Sequence, residues 1–108
     1  MIEIDTETQG DWIVCDSPVF AGRSVDLAIS NRHGPVEIEV SVGGTTILSH
    51  RCPDPPCHES LDIDRRWGRQ QMTVVVRDSS LRSQSWSSEL GEIVGDFGAG
   101  GTGRGDLY

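Results

Sequence analysis

The sequence predicts an all-β domain, an antiparallel β-sandwich of about seven to nine short strands, followed by a glycine-rich C-terminal arm. Three observations carry this expectation. Apolar and polar residues alternate with a period of two in several segments, as they do in a strand with one buried face. These segments recur along the chain with clusters of Asp, Ser, Asn, Gly and Pro between them, the residues that favour turns. No segment places apolar residues at the three-and-four spacing of an amphipathic helix.

Taken in order, residues 2–5 and 12–15 are short strand candidates, followed by the turn formers Asp16, Ser17 and Pro18. Residues 24–30 put Val25, Leu27 and Ile29 on one face. After a break at residues 31–35, the run from Val36 to Val42 sets Val36, Ile38, Val40 and Val42 against Glu37, Glu39 and Ser41. Gly43 and Gly44 follow, a pair able to take the positive φ angles of a two-residue hairpin, so residues 45–50 return as the antiparallel partner. Residues 60–63, 72–77 and 81–88 complete eight candidate strands, with Met72, Val74 and Val76 sharing a face and Asp78, Ser79 and Ser80 forming a turn. Two packed sheets are the expected architecture, with a small closed barrel as the alternative.

This arrangement resembles immunoglobulin-like and fibronectin-type modules of surface and virion proteins. The resemblance covers residues 11–89 and consists of alternation and turn spacing, with Trp67-Gly68 leading into the strand at 72–77 as a turn leads into a late core strand of such modules. The Cys, Trp and Cys signature of antibody domains is missing, since Cys15 has no partner on a late strand. The resemblance therefore implies a fold and carries over no functional residue.

With 108 residues the chain fits one domain with one modest core, residues 1–90, and an arm, residues 91–108. The arm is rich in glycine, with Phe97, Leu107 and Tyr108 as isolated apolar anchors; glycine loses the most backbone entropy on ordering, so these anchors are expected to lie against the domain or a neighbouring subunit. The chain carries 17 acidic residues against 9 Arg, no Lys, and a net charge of -8, a balance that opposes binding to phosphate backbones and suits a salt-adapted or GC-rich source. Arg65, Arg66 and Arg69 around Trp67 are the local exception, read as a solvated loop with an anchoring tryptophan. No apolar stretch approaches the roughly 20 residues of a membrane span, and no secretory signal is expected at residues 1–10.

His50, Cys52, Cys57 and His58 form the densest group of chemically capable side chains. Three readings stand beside one another: a Cys52 to Cys57 disulfide closing a short loop, two reduced thiols, or a zinc or copper site using all four donors. Pro53, Pro55 and Pro56 stiffen the loop, and adjacent Cys57 and His58 are expected to point apart, which disfavours convergence on one ion. A disulfide would imply an oxidising location and leave Cys15 unpaired. Catalytic use of a thiol needs a base or positive field, and Cys57 beside His58 offers adjacency alone.

The remaining patterns are read as structure. Gly98, Gly100 and Gly103 spell a dinucleotide fingerprint, but only five residues follow and no helix fits there to meet a pyrophosphate. Arg104, Gly105 and Asp106 spell an adhesive tripeptide of a kind that arises readily in glycine-rich segments. Asp54, Glu59, Asp62 and Asp64 lack the spacing of a calcium loop, the serines of residues 79–88 lack a nucleophile elbow, and Trp12, Trp67 and Trp86 read as packing. The expectation is a noncatalytic assembly or docking module without cofactor, at a virion or cell surface, with the cytoplasm left open. It contacts a protein partner or its own copies through strand edges and the arm, without nucleic acid, membrane insertion or a small-molecule ligand. The alternative is a metal or thiol-redox module on His50, Cys52, Cys57 and His58; a loop-borne carbohydrate or peptide contact at Trp67 comes third.

Overall fold

The computed structural model describes residues 1–30 and 34–92. Eight strands appear among them, β1 (Ile2–Ile4), β2 (Ile13–Cys15), β3 (Ser24–Ile29), β4 (Val36–Val42), β5 (Thr45–Cys52), β6 (Cys57–Asp62), β7 (Gln71–Asp78) and β8 (Ser83–Glu89). The other element is a single 3-10 turn, Arg65–Trp67, between β6 and β7. The strands form two four-stranded sheets, ordered β2-β1-β3-β6 and β5-β4-β7-β8.

Alternation along each strand decides which side faces inward. Val36, Ile38, Val40 and Val42 on β4, Met72, Val74 and Val76 on β7, Val25, Leu27 and Ile29 on β3, and Ile2 and Ile4 on β1 are all buried. The residues between them stay exposed or half-buried. Together with Trp12, Cys52, Leu61 and Leu90 they make one hydrophobic cluster fed by both sheets, a sandwich-like core. Because Leu27 and Ile38 are almost fully desolvated, truncating either to Ala is expected to cost about 2–5 kcal/mol.

The β4–β5 hairpin turns through Gly43 and Gly44 with φ of +58° and +86°, the double positive φ expected of a two-residue connection. Beyond the turn the register shifts between Val40 and Ser41, so Ile47 has no partner on β4 and the bulge brings Leu48, His50 and Cys52 onto the inner face.

Three expectations need correction. The pairings are not all antiparallel: β1 runs parallel to β3, because the chain reverses once from β1 into β2 and again into β3, which lies on the other side of β1. β5 and β6 reach closer together than expected, to Cys52 and from Cys57, so the connection between them is only four residues and both cysteines belong to strands. The last strand starts at Ser83, not at Leu81; Leu81 belongs to the turn, with a φ of +66°.

The sheets define two ends. At one end lie residues 5–12, Pro35, the β5–β6 connection and the β7–β8 turn. At the other lie residues 16–23, Gly43-Gly44, the Arg65–Trp67 turn and Leu90-Gly91. At this second end the backbone of Gly91 donates to Val19 and accepts from Ala21, both within 3.0 Å, and Leu90 is buried. Gly91, the first residue assigned to the arm, is therefore bonded to the domain.

Candidate functional site

Cys52 and Cys57 are bonded to each other, with 6.4 Å between their Cα atoms. The bond has a structural meaning that the sequence did not show. β5 is the edge of one sheet and β6 the edge of the other, so the disulfide joins the two layers along one side. Cys52 is buried because it lies on the same inward face as Leu48 and His50. A second link lies beside it: His50 Nε2 is 3.4 Å from Glu59 Oε2, an ion pair whenever the imidazole is protonated.

Of the four donors weighed as a metal site, the structure brings three to this seam and separates the fourth. Period-two alternation on β6 turns Cys57 and Glu59 inward and His58 outward, and His58 is exposed. Both sulfurs are used in their mutual bond. Among the described residues no group of three or more His, Cys, Asp or Glu side chains is placed to hold a metal ion.

The arginines around Trp67 are largely matched by carboxylates. Asp64 caps the Arg65–Trp67 turn, accepting from the Arg66 N–H at 2.8 Å and pairing with its guanidinium at 2.7 Å. Those bonds hold the Asp64 carboxyl down at about 2. Arg69 lies 3.1 Å from Glu92, and Trp67 is half-buried against the core. Of the other acidic residues considered for calcium, Asp62 sits in the ladder opposite Ser24, and Asp54 lies on the proline-rich connection.

The most elaborate polar arrangement is one the sequence analysis missed. Asp78, 7% exposed, accepts from the N–H groups of Ser80 and Arg82 through one oxygen and from the Arg82 Nε–H at 2.9 Å through the other, which also forms an ion pair with Arg82 Nη2 at 2.6 Å. Burial pushes this carboxyl up, and the bonds from Arg82 and Ser80 outweigh it, leaving the group below the usual carboxylate range. The Arg82 guanidinium also lies over the Trp12 ring, 5.3 Å from its centroid. Two residues on, Gln84 accepts from the Trp12 N–H and donates to the Gly10 carbonyl. This network ties the β7–β8 hairpin of one sheet to the β1–β2 connection of the other. Its only legible trace was an Asp opening a turn with Arg four residues later.

Comparison with protein-family models, curated proteins and solved structures returned no match. The chain's own geometry therefore carries the reading.

The four sheet edges differ. β2 has three residues, and β5 and β6 are joined through the disulfide. β8 has seven residues, pairs only with β7 among the described residues, and contains neither Pro nor Lys. Its outward positions are Ser83, Ser85, Ser87 and Glu89; inward, Trp86 is half-buried against the core. Beside this edge Cys15, a free thiol, donates to the Ser17 carbonyl at 2.8 Å. Trp12 is buried, as its packing role requires. The anchors assigned to the arm, Phe97, Leu107 and Tyr108, and the motifs of residues 98–106 lie outside the described residues.

Proposed function

We propose that the domain is a noncatalytic building block that joins neighbouring subunits through the free edge of β8 and the arm of residues 91–108. The observation that carries this reading is the β8 edge. Natural sheets blunt exposed edges with Lys, Pro, bulges or brevity, because unpaired backbone groups recruit further strands. β8 has none of these devices, with Glu89 its sole charge, and among the described residues its outer backbone groups have no partner strand. A strand added there would be held by main-chain hydrogen bonds, with the serines sterically undemanding.

The resemblance to immunoglobulin-like modules belongs to this proposal, supported by two four-stranded sheets around one core. So does placement at a virion or cell surface, supported by a disulfide that needs an oxidising setting. The metal or thiol-redox alternative lacks a donor set while the Cys52–Cys57 bond is intact, and counting alkylatable thiols with and without reductant tests it directly. For the assembly reading, deletion of residues 95–108 is expected to abolish oligomers while circular dichroism and melting still report a folded sandwich. A truncated chain that assembles in full would refute the role of the arm. Ser85→Lys with Ser87→Lys, which place edge-protecting charges on β8, are expected to weaken association at least tenfold; unchanged association would refute the role of the edge.

A further inference from the structure

Period-two alternation sets out an ordered series of side chains on the inward faces of the two edge strands that meet at the disulfide seam. On β5 they are Leu48, His50 and Cys52; on β6 they are Cys57, Glu59 and Leu61. Cys52 faces Cys57 through their bond, and one step along each strand His50 faces Glu59. The next inward residues, Leu48 and Leu61, pack with the core. A further apolar pair at 50 and 59 would seal the seam against water. In its place stand an imidazole and a carboxylate, 27% and 33% exposed, beside two sulfurs. Thiolate, imidazole and carboxylate are the donors that zinc takes in tetrahedral sites. The backbone of each donor is fixed before any ion arrives. His50 and Cys52 lie opposite Ile38 and Val36 in the β4–β5 ladder, and Cys57 and Glu59 lie opposite Ile29 and Leu27 in the β3–β6 ladder. These ties do not depend on the bond between the sulfurs.

We propose that reduction of the Cys52–Cys57 bond converts this seam into a zinc site with His50, Cys52, Cys57 and Glu59 as its four ligands. A dithiol reductant supplies two electrons and two protons: the S–S bond breaks, two thiols form on the protein, and the dithiol closes into its own disulfide. Zinc then takes the place of the two thiol protons, which pass to solvent. Two thiolates, a neutral imidazole and a carboxylate oxygen surround one divalent ion. Tetrahedral zinc holds its nitrogen and oxygen ligands roughly 3.4 Å from each other. His50 Nε2 lies 3.4 Å from Glu59 Oε2. The two thiolates need a separation of roughly 3.8 Å, which the freed sulfurs reach by parting across the seam. The longer His50 and Glu59 side chains lean along their strands to meet them. His58, on the outer face of β6, is left out. The two layers are thus joined on this side by a covalent bond in oxidising surroundings and by zinc in reducing ones. The inference concerns the β5–β6 side and stands apart from assembly through β8 and the arm.

Zinc titration of the full chain, reduced with a phosphine and compared with the unreduced protein, tests it. The reduced chain is expected to bind one zinc and the unreduced chain none. Zinc should raise the melting temperature of the reduced chain by several degrees and leave that of the unreduced chain unchanged. If reduction unfolds the chain, added zinc should restore the circular dichroism of the sandwich. Cobalt(II) in place of zinc should give the visible absorption of tetrahedral coordination together with thiolate-to-metal charge transfer. His50→Gln and Glu59→Gln are each expected to weaken zinc binding at least tenfold, and His58→Ala to leave it unchanged; melting of each variant before reduction shows that it is folded. A reduced chain that binds no zinc overturns the site, as does zinc bound equally by the unreduced chain. If either Gln variant binds like the wild type, or His58→Ala weakens binding, the ligand set is overturned. Zinc that lowers the melting temperature marks an ion held by the unfolded chain and overturns it as well. None of these outcomes bears on assembly through β8 and the arm.

Discussion

Asp78 shows how much one side chain can organise. A carboxylate accepting three hydrogen bonds and ion-paired with a guanidinium in a nearly closed site is stable only while ionised, because protonation removes the attraction to Arg82 and one acceptor. Its folded value lies below the unfolded one, so its contribution is complete above the unfolded carboxylate range, near 3.9, and is lost as pH falls through the folded value. Asp78→Asn is expected to destabilise the domain by about 1–3 kcal/mol at pH 7. The difference from wild type should shrink toward pH 2, as followed by melting curves; a difference independent of pH would contradict the ionised pair. At this scale the sequence was only partly legible. The buried faces were readable, since Val36 or Val74 declares itself by its neighbours. Leu81 was misassigned to a strand because an apolar residue after Ser80 imitates a strand's first inward position. Only the hydrogen bonds of Asp78 show that the chain is still turning there.

At the scale of elements, what alternation records is the face of each strand, and not its neighbour or direction. The β4–β5 hairpin could be read because Gly43-Gly44 leaves one geometry, and its partner strand follows at once. The parallel pairing of β1 with β3 could not, since residues 16–23 between β2 and β3 carry no mark of which side of β1 they will reach. The same gap hid the meaning of the cysteines. Their pairing was one of three readings of a short loop, but that the bond joins two sheets follows only from β5 and β6 being edges of different layers. Replacing both Cys52 and Cys57 by Ala removes a cross-link worth about 2 kcal/mol by chain entropy. The melting temperature should fall by roughly 10 °C, with reductant producing the same shift in the wild type and none in the double variant. Equal stability of reduced and oxidised protein would show that the seam is held by packing and the His50–Glu59 contact alone.

Across the whole molecule, a net charge of -8 acts against compaction. Every basic residue is Arg, and several described ones, Arg66, Arg69, Arg77 and Arg82, are engaged with carboxylates. The unbalanced remainder is negative and spread over the surface. Raising KCl from about 0.1 M to about 1 M shortens the screening length from roughly 10 Å to 3 Å, and the melting temperature is expected to rise accordingly. A salt-independent midpoint would remove the salt-adapted reading without touching the fold. Weaker repulsion between copies should likewise favour association. Native mass spectrometry of the full, unreduced chain at rising concentration, prepared from high salt, is therefore the most direct measurement of the central claim. The account expects a ladder of whole-number multiples of a metal-free, disulfide-bonded subunit, and a single monomer peak at every concentration would contradict it.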